Sequence, residues 1–207
     1  MADTDVTAKA TPPANNGEIN VKGQSVNNIQ AEYVTIQYGT AGDIKANSIV
    51  VSQAGVKNIE GQKIELRQAG AQTVKGDQLT VRQGGVGQAT VGNLSITQGG
   101  IVFAETQEAT LTASTAGAIM ANGPVNLDQS GAKAILTRGE VRMDQSGAGV
   151  LLARSVQTGS NSGVVLMIAG RVDGEVNAVF GPVAGAAFGA AFALMVALIL
   201  WLRRRLV

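Results

Sequence analysis

The chain is 207 residues long and 45% hydrophobic, yet it has only four Phe, two Tyr and one Trp beside 27 Gly. It contains neither Cys nor His, which excludes disulfides, thiol nucleophiles and the usual zinc sites, and removes the side chain best suited to proton transfer near neutral pH. The net charge is +1, and outside Arg203, Arg204 and Arg205 thirteen basic residues face fifteen acidic ones, so there is no basic field for nucleic acid.

Residues 1–18 are polar, carry Pro12-Pro13 and lack the apolar run of a signal peptide. They read as a flexible, solvated tail. From Ile19 the chain repeats. Rows of fifteen residues align Ile19, Val34, Ile49, Ile64, Leu79 and Leu94 in one column, and Val21, Ile36, Val51, Leu66, Val81 and Ile96 in a second. The row then lengthens by one residue, and the columns run on through Val125 with Leu127 and Val141 with Met143. Three further columns pass through Val56, Ile59 and Gly61, and polar residues such as Thr35, Glu65, Thr80 and Ser95 separate the paired slots. That is period-two alternation within short strands.

A fifteen-residue unit with five apolar slots cannot bury them alone; it buries them by stacking on its neighbours. The expected fold is therefore all-β, a single-stranded parallel β-solenoid over 19–178. It has about ten 15–16-residue coils, the last beginning at Gln157. At ~4.8 Å per coil the rod is about 45–50 Å long. A narrow interior of aliphatic and Ala ladders accounts for the scarcity of rings: only Tyr33, Tyr38 and Phe103 precede residue 180.

Gln53, Gln68, Gln83, Gln98, Gln129 and Gln145 form a polar column, interrupted by Tyr38 and Ala113. Stacked amides of this kind bond along a rod as a ladder. Gly55, Gly70, Gly85 and their successors lie two places on, where a corner with positive φ is expected. Two outward columns change character along the chain. One runs Gln30, Lys45, Glu60, Lys75, Thr90, Glu105 and then Met120, Leu136, Leu152, Ile168. The other passes from Asn28, Asp43 and Asn58 to Phe103, Ala118, Ala134, Val150 and Leu166. A contiguous apolar stripe marks an interface. Phe103, Met120, Leu136, Val150, Leu152, Leu166 and Ile168 are the candidate self-association surface; the alternative is a docked helix, including a folded-back 183–202 segment.

Residues 183–202 are uncharged, and twenty residues at 1.5 Å each span the ~30 Å of a bilayer core. They predict one C-terminal transmembrane helix within 179–207, with Trp201 and Arg203, Arg204 and Arg205 at the membrane interface. Gly181, Gly185, Gly189, Ala193 and Ala197 recur every fourth residue, the spacing of a helix-packing face. The lipid bilayer is thus an expected partner, and a homo-oligomer or polymer the expected assembly. With no leader in Met1–Ala10 the solenoid is expected on the cytoplasmic side; the cluster of Arg favours the opposite orientation, with the rod outside.

No catalytic constellation emerges. Asp128 and Asp144 share an outward column, as do Arg67 and Arg82, but Arg138 and Arg142 nearby make a solvated surface the better reading than an acid–base pair. The glycine-rich Gly84-Gly85-Val86-Gly87 has no phosphate-loop spacing. No metal site and no cofactor are expected, and the chain reads as a non-enzyme.

Gly42-Asp43-Ile44-Lys45-Ala46, continuing to Ile49-Val50-Val51 and Gly55-Val56, resembles the bactofilins, and Gly174-Glu175-Val176-Asn177-Ala178 has the same character. The resemblance implies a right-handed parallel β-helix with flexible tails that polymerises end to end beneath a bacterial membrane. The fifteen- to sixteen-residue coil, the Gln column and the C-terminal span depart from that family. The expected function is a membrane-anchored structural scaffold or filament; the alternative is a cell-surface adhesin or binding module anchored by the same span.

Overall fold

The structure, a computed structural model, describes residues 17–174 and 177–180. Inward-facing residues recur in pairs two apart, and the pairs repeat every five residues: Ile59 and Gly61, Ile64 and Leu66, Ala69 and Ala71, Val74 and Gly76, Leu79 and Val81. Between pairs lie two consecutive outward residues, such as Gln62-Lys63, Arg67-Gln68 and Asp77-Gln78. Each outward doublet turns the chain, so three five-residue units close one three-sided coil. The first side carries Lys63–Arg67, the second Gly70 and Ala71, and the third Thr73–Gly76, with the ladder skipping residues 72 and 77.

Twelve strands occur among the described residues: β1 (Glu18–Lys22), β2 (Ser25–Arg67), β3 (Gly70–Arg82), β4 (Gly85–Thr97), β5 (Gly100–Thr112), β6 (Thr115–Ala121), β7 (Val125–Asp128), β8 (Gly131–Thr137), β9 (Glu140–Asp144), β10 (Gly147–Thr158), β11 (Gly163–Gly174) and β12 (Asn177–Phe180). Every pairing is parallel, and in the first half partners are fifteen residues apart, as in Ile64↔Leu79↔Leu94. The chain is therefore an all-β parallel β-solenoid of about ten coils, as its period predicts.

The interior is a stack of aliphatic ladders. Ile36, Ile49, Ile64, Leu66, Leu79, Ile96, Leu111, Ile119, Ile135 and Met143 are among its largest fully buried side chains, and the rings of Tyr33, Tyr38 and Phe103 are all outside it. Burying each such side chain stabilises by about 1.5–3 kcal/mol. No single coil holds enough of them to fold alone.

The register changes four times among the described residues: twice at the corner between the third and first sides, once between the first and second sides, where Met143 pairs with Thr158 but Gly147 with Gly163, and once before β12, whose Asn177 pairs with Gly163. Thr106 pairs with Ala121 fifteen residues on, but Ala109 pairs with Val125 sixteen on, so the added residue sits in Asn122–Pro124. The spacing later returns to fifteen: Leu136 pairs with Leu152, then Glu140 with Ser155 and Val141 with Val156. The tenth coil accordingly buries Val156 and Thr158 on its first side, not Gln157 as the sixteen-residue row implies. Strand pairing begins at Glu18 and continues to Phe180, where β12 pairs with β11.

Among the described residues no helix is long and apolar enough to cross a membrane. The expected span over 183–202, its small-residue face (Gly181, Gly185, Gly189, Ala193, Ala197) and its interfacial Trp201 and Arg203–Arg205 lie outside the described residues, as does most of the N-terminal tail.

Candidate interaction surfaces

The glutamine column forms the corner between the first and second sides. Gln53 donates to Gln68 at 2.9 Å, Gln68 to Gln83 at 3.1 Å and Gln83 to Gln98 at 3.1 Å, in each case from Nε2 to Oε1. Gln129 and Gln145 keep the same corner conformation but make no amide–amide bond among the described residues.

The positive φ expected at the glycines falls on this column instead: Gln53, Gln68, Gln83, Gln98, Gln129 and Gln145 have φ between 46° and 55°, and Tyr38, Ala113 and Asn161 occupy the slot likewise. Left-handed backbone costs a residue with a Cβ about 1–2 kcal/mol. The corner holds because the same residue's N–H reaches the next coil, as in Gln68 N to Arg82 O at 2.8 Å and Gln83 N to Thr97 O at 3.0 Å. The glycines two places on are not required by space: a Cβ at Gly55, Gly85 or Gly131 meets nothing within 4 Å, and Thr115 occupies the slot in the seventh coil.

Inside the same corner lies a sixth inward column that the apolar periodicity does not reveal. It is held by Ala54, Ala69, Gly84 and Gly99, and then by the buried serines Ser114, Ser130, Ser146 and Ser162. The serines form a second ladder. Ser114 N donates to Ser130 Oγ at 3.1 Å, Ser130 N to Ser146 Oγ at 3.1 Å, and Ser146 N to Ser162 Oγ at 3.5 Å. Each hydroxyl in turn donates a hydrogen bond to a carbonyl, as Ser130 does to Asp128 O at 2.7 Å. No buried side-chain polar atom lacks a partner among the described residues. Ser130→Ala should therefore cost about 1–3 kcal/mol, because it strands the Ser114 N–H in the interior, while the Asp128 carbonyl keeps its bond from Ala113 N at 2.9 Å. Urea denaturation measures this, and a Ser130→Ala chain as stable as the parent would contradict it.

The third side of the rod has two halves. In the early coils it is polar: Asn58 Nδ2 donates to Asp43 Oδ1 at 2.6 Å, Lys45 Nζ pairs with Glu60 Oε1 at 3.0 Å, and Glu60 sits in register with Lys75. The sixth coil is mixed, with Phe103 beside the exposed Glu105, and from the seventh coil the side turns apolar. Phe103, Ala118, Ala134, Val150 and Leu166 stack in one register column, which Phe180 of β12 continues. Met120, Leu136, Leu152 and Ile168 stack in the next. Met120, Leu136, Val150, Leu152, Leu166 and Ile168 are between 39% and 58% exposed, and Phe103 is half-buried. All seven residues expected in the stripe thus share one face.

The candidate chemical groups stay on the surface. Asp128 and Asp144 are register neighbours on the first side, beside Asn126 and Arg142. Arg67 and Arg82 are likewise neighbours, with Glu65 between them: Arg67 Nε donates to Glu65 Oε1 at 2.8 Å, and Arg82 Nε lies at 4.0 Å. The Arg67 hydrogen bond holds the Glu65 carboxyl below its ordinary range, with the charges of Arg67, Arg82 and Lys63 adding to it and partial burial opposing. The stability this lends is complete above the ordinary glutamate range and is lost as pH falls through the lowered folded value. Glu65→Gln should lower Tm near neutrality and leave it unchanged in strong acid; an equal loss at both would contradict the assignment. Among the described residues no cluster of acidic side chains has the arrangement of a metal site.

A scan against protein-family models matches none, and searches of the curated proteins and of the solved structures return no match.

Proposed function

We propose that the chain is a non-enzymatic structural protein, a membrane-anchored β-solenoid that self-associates into a scaffold or filament at a bacterial membrane. The observation that carries this reading is the state of the two rod ends. Ile19, Val26 and Ala31 at one end and Met167 and Ala169 at the other are only partly buried, while the same columns are largely closed between them. Among the described residues β1 pairs on one side only, so its other edge offers a row of unpaired N–H and C=O groups. Such an edge templates another parallel strand. A second copy stacked end to end continues both the ladder and the core.

The resemblance of Gly42–Ala46 and Gly174–Ala178 to the bactofilins supports the same reading, since those β-helical proteins polymerise end to end. Anchoring is supported by the twenty uncharged residues 183–202 and the three arginines that follow. The non-enzymatic reading is supported by the short corners and by the setting of Asp128 and Asp144, which among the described residues line only a shallow, open depression beside Arg142.

Sodium carbonate extraction tests the anchor. Full-length protein is expected to remain with the membrane and the chain lacking residues 181–207 to be released. Release of both would overturn the anchored reading.

A further inference from the structure

The apolar half of the third side has a rim that only the coil geometry assembles. In the seventh to tenth coils this side comprises residues 117–122, 133–138, 149–154 and 165–170, which include Lys133, Arg138 and Arg154 but no acidic residue. Lys133 stands at one corner of the face, and Arg138 and Arg154 at the opposite corner one coil apart. All three are exposed, and none makes an ion pair among the described residues, whereas Arg142 and Arg171 pair with Glu140 and Asp173. The polar half of the same side mixes both signs, as in Asp43, Lys45, Glu60 and Lys75.

An apolar strip flanked by free cations is the surface that lies in the interfacial layer of an anionic bilayer, with the side chains among the upper acyl chains and the cations at the phosphates. We infer that the rod lies along the membrane on the third side of its seventh to tenth coils, Leu136, Leu152, Leu166 and Ile168 entering the interface and Lys133, Arg138 and Arg154 contacting anionic headgroups. This rests on the membrane reading above, which it extends from a tail anchor to a whole face of the rod.

The point where the chain leaves the rod favours this occupant. Phe180 sits in the register column of Leu166, on this same side, and only Gly181 and Pro182 separate it from the uncharged run. Two residues reach about 7 Å, so the end of the face is held close to any bilayer that residues 183–202 enter. A second copy fits less well. Two such faces packed together oppose cation to cation with no carboxylate between them. At ~4.8 Å per coil the four-coil strip is only roughly 20 Å long, and two columns of that length fall short of the about 800 Å² per partner of a stable interface.

Because the chain has no Cys, a single environment-sensitive label can be placed anywhere on it. Full-length Leu136→Cys, Leu152→Cys and Gln145→Cys chains, the last labelled at a corner away from the face, are reconstituted into vesicles of phosphatidylcholine with about one-third phosphatidylglycerol and doxyl-labelled lipid. Labels at 136 and 152 are expected to be quenched by the lipid, and the label at 145 not. Combining Lys133→Gln, Arg138→Gln and Arg154→Gln should shift the ratio of rods with this face on the bilayer to rods with it off, read from the quenching at 136 and 152, about fivefold per cation, on the order of a hundredfold together; an unchanged ratio would overturn the role given to the cations. Labels at 136 and 152 no more quenched than at 145, in a chain that resists carbonate extraction, would overturn this inference and leave the anchor standing. Quenching at 136 and 152 in a chain that carbonate releases would sustain the face and remove the anchor. Shielding from water without lipid quenching, with cross-linking of 136 to 136 between copies, would show a second copy on the face and overturn the inference.

Discussion

An Ile96→Ala chain is expected to lose about 2–5 kcal/mol of stability, the range for emptying a fully buried aliphatic position that cannot collapse. Ile96 is fully buried and stacks in register between Val81 and Leu111, so the vacancy faces both neighbouring coils. In a repeat protein stability is close to a sum of coil terms and nearest-neighbour interfaces, and this change weakens two interfaces at the centre of the rod. Val21→Ala in the first coil, where β1 has one strand neighbour among the described residues, should cost less. Equilibrium urea unfolding of the two chains makes the comparison, and equal losses would contradict a core built of stacked, mutually dependent coils.

Deleting one residue from a side should be worse than any substitution. Removal of Thr80 carries Val81 to an outward slot and draws the exposed Arg82 into the column it leaves. Burying an unpaired guanidinium costs about 3–5 kcal/mol and exposing the valine about 1.5–3 more. The fifth coil is therefore expected to lose its fold. Deleting Asn122 is the matched control, since it removes the residue that lengthens the seventh coil at a corner. Its cost should stay near the mutational average of about 1 kcal/mol, since it loses the bond from Asn122 N to Thr106 O but leaves the core in place. Circular dichroism and thermal unfolding distinguish the two. A Thr80 deletion that melts like the parent would mean that the register is not set by the inward pairs.

These expectations depend on the period, and the period was the most legible feature of the chain. Ile49, Ile64, Leu79 and Leu94 align in plain text because a buried parallel ladder accepts similar aliphatic residues at every level. The sixth inward column was not legible, because Ala54, Ala69, Gly84, Gly99 and four serines carry no common hydrophobic signal. With it missing, the coil read as five slots of uneven spacing instead of three equal five-residue units. The corner conformation was assigned to Gly55 and its column because glycine is the usual left-handed residue; the structure gives it to the glutamines, whose N–H groups bond to the next coil. The return to a fifteen-residue spacing was hidden because it occurs at Arg154-Ser155, without an apolar residue to mark it. The seven-residue stripe was visible as text, but its cationic rim was not: Lys133, Arg138 and Arg154 stand at unequal intervals, and only the three-sided coil puts them around one face.

The central claim, that this rod is built to assemble, is tested most directly by negative-stain electron microscopy of the purified full-length chain on bilayers containing phosphatidylglycerol. The expected result is filaments or sheets many rod lengths long. Separate rods of about 45–50 Å, unchanged as concentration rises, would contradict it.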